Sequence, residues 1–113
     1  MKTETLELTL LYDYYGDMLT EKQRTCFELH FHQDLSLAEI AEEIGISRQG
    51  VHDTLARTES ALRSMEDRLG CVGQARTLQR AYTELKAAAA ELRSRGETRI
   101  AERVEAAADL IKE

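Results

Sequence analysis

Residues 36–55 read SLAEIAEEIGISRQGVHDTL, and the order of apolar, small and polar residues in this stretch decides the fold. Ile40, Ile44, Ile46 and Val51 are spaced to close two short helices on each other. Ala41 stands where the helices cross, and a longer side chain there would push them apart. Gly45 opens the turn between them, where a positive φ costs glycine little. Ser36 and Ser47 each precede a helical run and supply N-cap oxygens, and Glu39, three residues after Ser36, completes a capping box. The spacing predicts a helix-turn-helix whose second, recognition helix opens at Ser47.

The flanks continue in helical period. Leu6, Leu10, Leu11, Tyr14 and Tyr15 form the apolar face of a first helix that Gly16 interrupts. Thr20 with Gln23 opens a second helix over about residues 21–31, with Phe27 and Phe31 on its inner side. The recognition helix extends through Leu55, Leu62, Met65 and Leu69 to a break at Gly70-Cys71-Val72-Gly73. Beyond it, Leu78, Tyr82, Leu85, Ala89 and Leu92 make a packing seam, Gly96 ends that helix, and Ile100, Val104, Ala107 and Ile111 line a last one. The fold class expected is all-α, with a helix-turn-helix domain over residues 1–70 and a helical extension over 71–113.

Composition agrees. The 113 residues contain no Pro and only six Gly, and 42% are hydrophobic, enough for one modest core. No apolar run is long enough to span a bilayer, and the N-terminus carries Glu4 and Glu7 where a leader would be basic. A cytoplasmic protein with no membrane partner is expected, with Cys26 and Cys71 as free thiols. Net charge is −6, unevenly spread. Residues 1–35 hold three Lys/Arg against seven Asp/Glu, residues 36–70 four against seven, and residues 71–113 eight against seven. An acidic helix-turn-helix works against tight, independent binding of nucleic acid, whose affinity comes largely from neutralised phosphates.

Ser47, Arg48, Gln49, His52 and Arg57 are the candidate nucleic-acid-binding residues. Arg48 and Gln49 lead the set, because Arg and Gln pair with guanine and adenine edges in the major groove. Gly50 has no side chain to read with, and Asp53 would repel phosphates. A solvated helix face is the alternative reading of the same residues. Cys26, His30 and His32 invite comparison with a metal site, but the two histidines point to different sides of a helix, and a surface or capping role is expected for them. Tyr12, Tyr14 and Tyr15 are of the type that stacks on bases, and at helical spacing beside leucines at least some of them read as core. No phosphate loop, nucleophile elbow or Cys-x-x-Cys pair is present, so neither catalysis nor a cofactor is expected.

The segment LLYDYYGDMLTEKQRTCFELHFHQDLSLAEIAEEIGISRQGVHDTLARTESAL, residues 10–62, resembles the YlxM family of small bacterial helix-turn-helix proteins, carried by DYYG, LTEKQ, SLAEIAEE and SRQGV. The family is typically encoded beside the signal recognition particle GTPase and is similar to region four of sigma factors. The resemblance implies a sigma-region-four-like fold and a regulatory, DNA-binding protein connected with the signal recognition particle pathway. It also implies partners in the GTPase and its RNA, with a sequence-specific transcriptional regulator as the competing class. Sigma region four usually carries basic residues where this chain has Gly50 and His52, so promoter reading carries over only to Arg48 and Gln49. Past Gly73 no diagnostic motif is present.

The seam and stripe of the extension offer more apolar surface than one antiparallel pair of helices hides. A homodimer through Leu78, Tyr82, Leu85, Leu92, Ile100 and Val104 is therefore expected, against intramolecular packing as the alternative.

Overall fold

The computed structural model describes residues 3–111, and they form six α-helices and no strand. These are α1 (Thr3–Tyr15), α2 (Glu21–Phe27), α3 (Leu37–Ile44), α4 (Arg48–Leu69), α5 (Cys71–Ser94) and α6 (Thr98–Asp109). A 3-10 turn, Gly16–Met18, follows α1, and a π turn, Glu28–His32, continues α2. Among the described residues no helix is long and apolar enough to cross a membrane. The chain divides into a first compact unit, Met1–Val72, and a second, Gly73–Glu113.

Two adjoining apolar clusters hold the first unit. One gathers Leu8, Leu11, Tyr15, Leu19, Phe27, Leu62 and Val72. The other is Ile40 and Val51 around the Cys26 thiol, whose pKa burial pushes up. The buried face of α1 differs from the expected one: Leu6 and Tyr14 are 54% and 47% exposed, and Leu8 is buried instead. Leucines at 6, 8, 10 and 11 surround this helix, so its period alone does not choose a face; the face that continues into Leu19 is the one buried. Leu69 is likewise exposed, and Val72 fills the cluster at that end of α4.

Both expected capping boxes form. Thr20 Oγ1 accepts from the Gln23 amide at 3.2 Å while Gln23 Oε1 accepts from the Thr20 amide at 3.0 Å. Ser36 and Glu39 do the same at 3.1 and 2.9 Å. The hydrogen bonds from the Ser36 amide and hydroxyl hold the Glu39 carboxyl below the usual glutamate range. Gly16, which follows α1, leaves room for the Tyr12 ring, since a Cβ there would lie 3.1 Å from it.

The second helix is α-helical only to Phe27; the next five residues widen into the π turn. Phe27 stacks on Tyr12 with centroids 4.3 Å apart, and Phe31 packs on Phe27 at 4.5 Å. His32 meets both the Tyr12 and the Phe27 ring edge-on. His30 turns the other way, its Nδ1 bonded to the Leu35 carbonyl at 3.0 Å, so it closes the loop before α3. The described residues contain no group of three or more side chains able to hold a metal.

The break between α4 and α5 narrows to one residue, Gly70, at φ +64°. Around it the buried Tyr15 hydroxyl donates to Glu66 at 2.5 Å and accepts from the Cys71 amide at 3.0 Å, while the Val72 amide donates to Glu66 at 3.1 Å. Residues of α1 and α4 thus satisfy amides at the start of α5 that a helix leaves unpaired. Burial first, then the bond to Glu66, pushes the Tyr15 phenol up to about 12. Tyr12, half-buried and bonded to Glu28, is also raised to about 12, chiefly by burial.

In the second unit α5 turns at Gly96, φ +80°, through a Schellman pair of bonds, Glu97 amide to Leu92 carbonyl and Gly96 amide to Arg93 carbonyl. Arg93 and Glu105 form a bidentate bridge across the hairpin at 3.1 and 2.6 Å. The fully buried residues are Ala89, Ala101 and Ala108. Ala107, expected on the inner side of α6, is exposed because the helix is rotated so that its small residues 101 and 108 face inward. Tyr82, Leu85, Leu92 and Val104 are half-buried, whereas Leu78 and Ile100 are 40% and 43% exposed.

Ser36→Ala should cost about 1 kcal/mol, read as a lower urea midpoint with unchanged slope. Tyr12 and Tyr15 should ionise above the ordinary phenol range when tyrosinate absorbance is followed against pH. Their folded values exceed the ordinary phenol value, so the stability they contribute is complete below pH ~10 and is lost as pH rises toward ~12. Tyr15→Phe should lower the urea midpoint at neutral pH and remove part of that alkaline loss; an unchanged alkaline profile would contradict the assignment.

Candidate nucleic-acid interface

Helices α3 and α4 meet at Ile40 and Val51, both fully buried, with Ala41 half-buried between them. Gly45 caps α3 at φ +76°, and the Ile46 amide returns to the Ala41 carbonyl at 3.1 Å. Ser47 Oγ then accepts from the Gly50 amide at 2.9 Å and starts α4. A Cβ at position 50 would approach that oxygen to 3.1 Å, so Gly50 leaves room for the cap. Thr54 and Thr58 return their hydroxyls to the carbonyls four residues back, which keeps both polar groups satisfied on the inner side of α4.

All five predicted residues, Ser47, Arg48, Gln49, His52 and Arg57, are exposed, but they do not form one surface. Ser47 carries the cap. At about 100° per residue, Arg48, Gln49 and His52 lie within one third of the helix circumference, while Arg57, nine residues after Arg48, projects from the opposite flank. Arg63 pairs with Glu59 at 3.3 Å. No continuous basic stripe runs along Arg48, Arg57 and Arg63.

Asp53 stands beside the Arg48, Gln49 and His52 surface. Gln49 Nε2 donates to Asp53 Oδ1 at 3.0 Å, and His52 Nδ1 lies 3.6 Å from the same oxygen. Arg48 and Arg57 form no ion pair among the described residues. On α3, Glu39, Glu42 and Glu43 are exposed, on the helix that crosses the phosphate backbone when this motif docks on a duplex.

Sequence reasoning overlooked a groove beside this face. It has a volume of about 300 Å³ and takes its wall residues from α1, α2, the π turn, α3 and α4. No local pattern announces it, because each element contributes only one to four residues. His52 is the one candidate residue that also lines it.

Residues 2–103 match a family model described as "Putative helix-turn-helix protein, YlxM / p13 like". A UPF0122 protein of Thermoanaerobacter sp. is 54% identical over 72 residues, covering 64% of this chain and 62% of the relative, so the chain spans less than two thirds of that relative's length. One from Caldanaerobacter subterraneus is 44% identical over 86 residues, 76% of this chain and 74% of the relative. One from Bacillus thuringiensis is 42% identical over 86 residues, 76% and 78% of the two chains. With the helix-turn-helix geometry of α3 and α4 in place and the family model matched over nearly all its residues, the chain belongs to the UPF0122 family of YlxM / p13-like helix-turn-helix proteins.

Proposed function

We propose that this protein is a non-enzymatic, cytoplasmic regulator in the signal recognition particle pathway that binds nucleic acid weakly, through Arg48, Gln49 and His52. The observation that carries the reading is Asp53, a carboxylate set beside the candidate readout surface and already engaged with two of its three side chains. The acidic α3 surface adds to the repulsion of phosphate. A protein so equipped acts best through a protein partner, and the YlxM resemblance points to the signal recognition particle GTPase with its RNA. Opposite charge on the RNA-binding region of that GTPase would speed encounter.

The second reading, a sequence-specific transcriptional regulator, is favoured by one observation: Arg48 is exposed and unpaired at the start of α4, where a major-groove guanine contact is made. A homodimer through α5 and α6 belongs to either reading, supported by the exposure of Leu78 and Ile100.

With Arg48 the one arginine on that surface, the logarithm of affinity for duplex DNA should fall with a slope near −1 against log salt, about three- to fourfold between 50 and 200 mM. Arg48→Ala should weaken binding by about 1–3 kcal/mol if Arg48 reads a base, and Asp53→Asn should strengthen it. Tight binding at physiological salt that survives Arg48→Ala would overturn the weak-binding reading. Mixing the protein with the GTPase, alone and with its RNA, should give a complex or a changed rate of GTP hydrolysis; the absence of both would overturn the pathway assignment. Light scattering at tens of micromolar should show a dimer that Leu78→Glu with Ile100→Glu dissociates, and a full-length monomer refutes it.

A further inference from the structure

The groove beside α4 is lined by the aromatic rings of Phe27 and Phe31 together with Leu8 of α1, Leu37 of α3 and Leu55 of α4. Phe27 and Leu8 are buried, whereas Phe31, Leu37 and Leu55 remain partly exposed. The π turn contributes His30 and Phe31 to the lining, and such turns recur at functional sites. The ionisable side chains of the lining are His30, His52 and Glu59. His30 holds the Leu35 carbonyl with Nδ1, His52 stands on α4, and Glu59 adds a half-exposed carboxylate paired with Arg63. The volume corresponds to about ten waters, enough for a few apolar side chains and too small for a whole helix.

We propose that this groove receives the apolar ridge of a basic amphipathic helix from a partner protein. Backbone chemistry selects the helix. The described residues of the first unit contain no strand, so an extended peptide would find no sheet edge for its amides and carbonyls. A helix satisfies its own backbone and can lay anchors at i, i+3 or i+4, and i+7 along the groove with no unpaired polar group against the apolar lining. Charge selects the basic flank. Residues 1–70 hold fourteen Asp/Glu against seven Lys/Arg, and because Glu59, the one carboxylate of the lining, is shared with Arg63, it is the charge of the whole unit that favours a basic partner. The inference does not rest on nucleic-acid binding or on the identity of the GTPase as partner, and it stands or falls separately from both.

The test uses the full chain and three fluorescent peptides of about 18 residues, five helical turns. One is a Leu/Lys sequence with a single helical leucine face, one has the same pattern with Glu in place of Lys, and one is the Leu/Lys composition scrambled so that no leucine face forms. The first should bind at least about tenfold more tightly than the other two. In amide chemical-shift mapping its effects should gather at Leu8, Phe31 and Leu55. Ala56 is exposed and lines the groove, so Ala56→Glu, with folding checked by circular dichroism, obstructs the groove while adding a negative charge. It should weaken the Leu/Lys peptide by about tenfold or more, whereas simple attraction between opposite charges would be strengthened. Binding of the scrambled peptide equal to the first, equal binding of the Glu peptide, unchanged or tighter binding to Ala56→Glu, or no binding at all would each overturn the proposal.

Discussion

Eleven residues separate Val51 from Leu62, close to three turns of helix, and both are fully buried on the same side of α4. The rest of the first unit depends on that coincidence. Val51 belongs to the cluster with Ile40 and Cys26, and Leu62 to the cluster with Tyr15 and Phe27, so one stripe of one helix joins both halves of the core. Fixing that stripe fixes its opposite: the outward positions of α4 follow from the buried ones. Gln49 is exposed because Val51 is buried, and no rotation of α4 exposes Arg57 beside Arg48.

The parts of this arrangement that local rules determine were legible in the residues. Ile40, Gly45, Val51 and the pairs Ser36–Glu39 and Thr20–Gln23 each encode a contact or a cap within a few positions, and each is found where the spacing puts it. Whatever depends on competition between faces was not legible. In α1 too many leucines offer themselves, and the choice between Leu6 and Leu8 is made by the chain returning at Leu19. In α6 the larger side chains of Ile100 and Val104 suggest the inner face, yet Ala101 and Ala108 are buried most fully. The candidate site divided the same way. The exposure of Arg48, Gln49 and His52 follows from periodicity, but the bond from Gln49 to Asp53 depends on rotamers, and the groove is assembled from positions up to about fifty residues apart.

Magnitudes separate two roles of Asp53. Its hydrogen bond to Gln49 is an exposed contact between residues four apart on a helix, worth about 0.2–0.5 kcal/mol, so it holds Gln49 only loosely. The charge is the larger obstacle. A carboxylate next to a phosphate backbone costs energy however Gln49 is oriented, and Glu42 and Glu43 on α3 add to it. The acidity of this helix-turn-helix is therefore placed where a duplex would have to approach, while the apolar surface it leaves open lies to one side.

Gly70-Cys71-Val72-Gly73 has the composition of a flexible connector, yet two of its amides are held by Tyr15 and Glu66, and Val72 is 4% exposed within the core. Segment boundaries for protein engineering are shifted by this. A shortened gene product ending at Gly70 would retain the Tyr15 phenol and the Glu66 carboxylate in their recess, stripped of the two N–H donors they serve. A product carried a few residues past Val72 would keep them. The first turn of α5 is thus an organ of the domain before it, and a foreign appendage grafted in place of the C-terminal hairpin would have to begin with a helix.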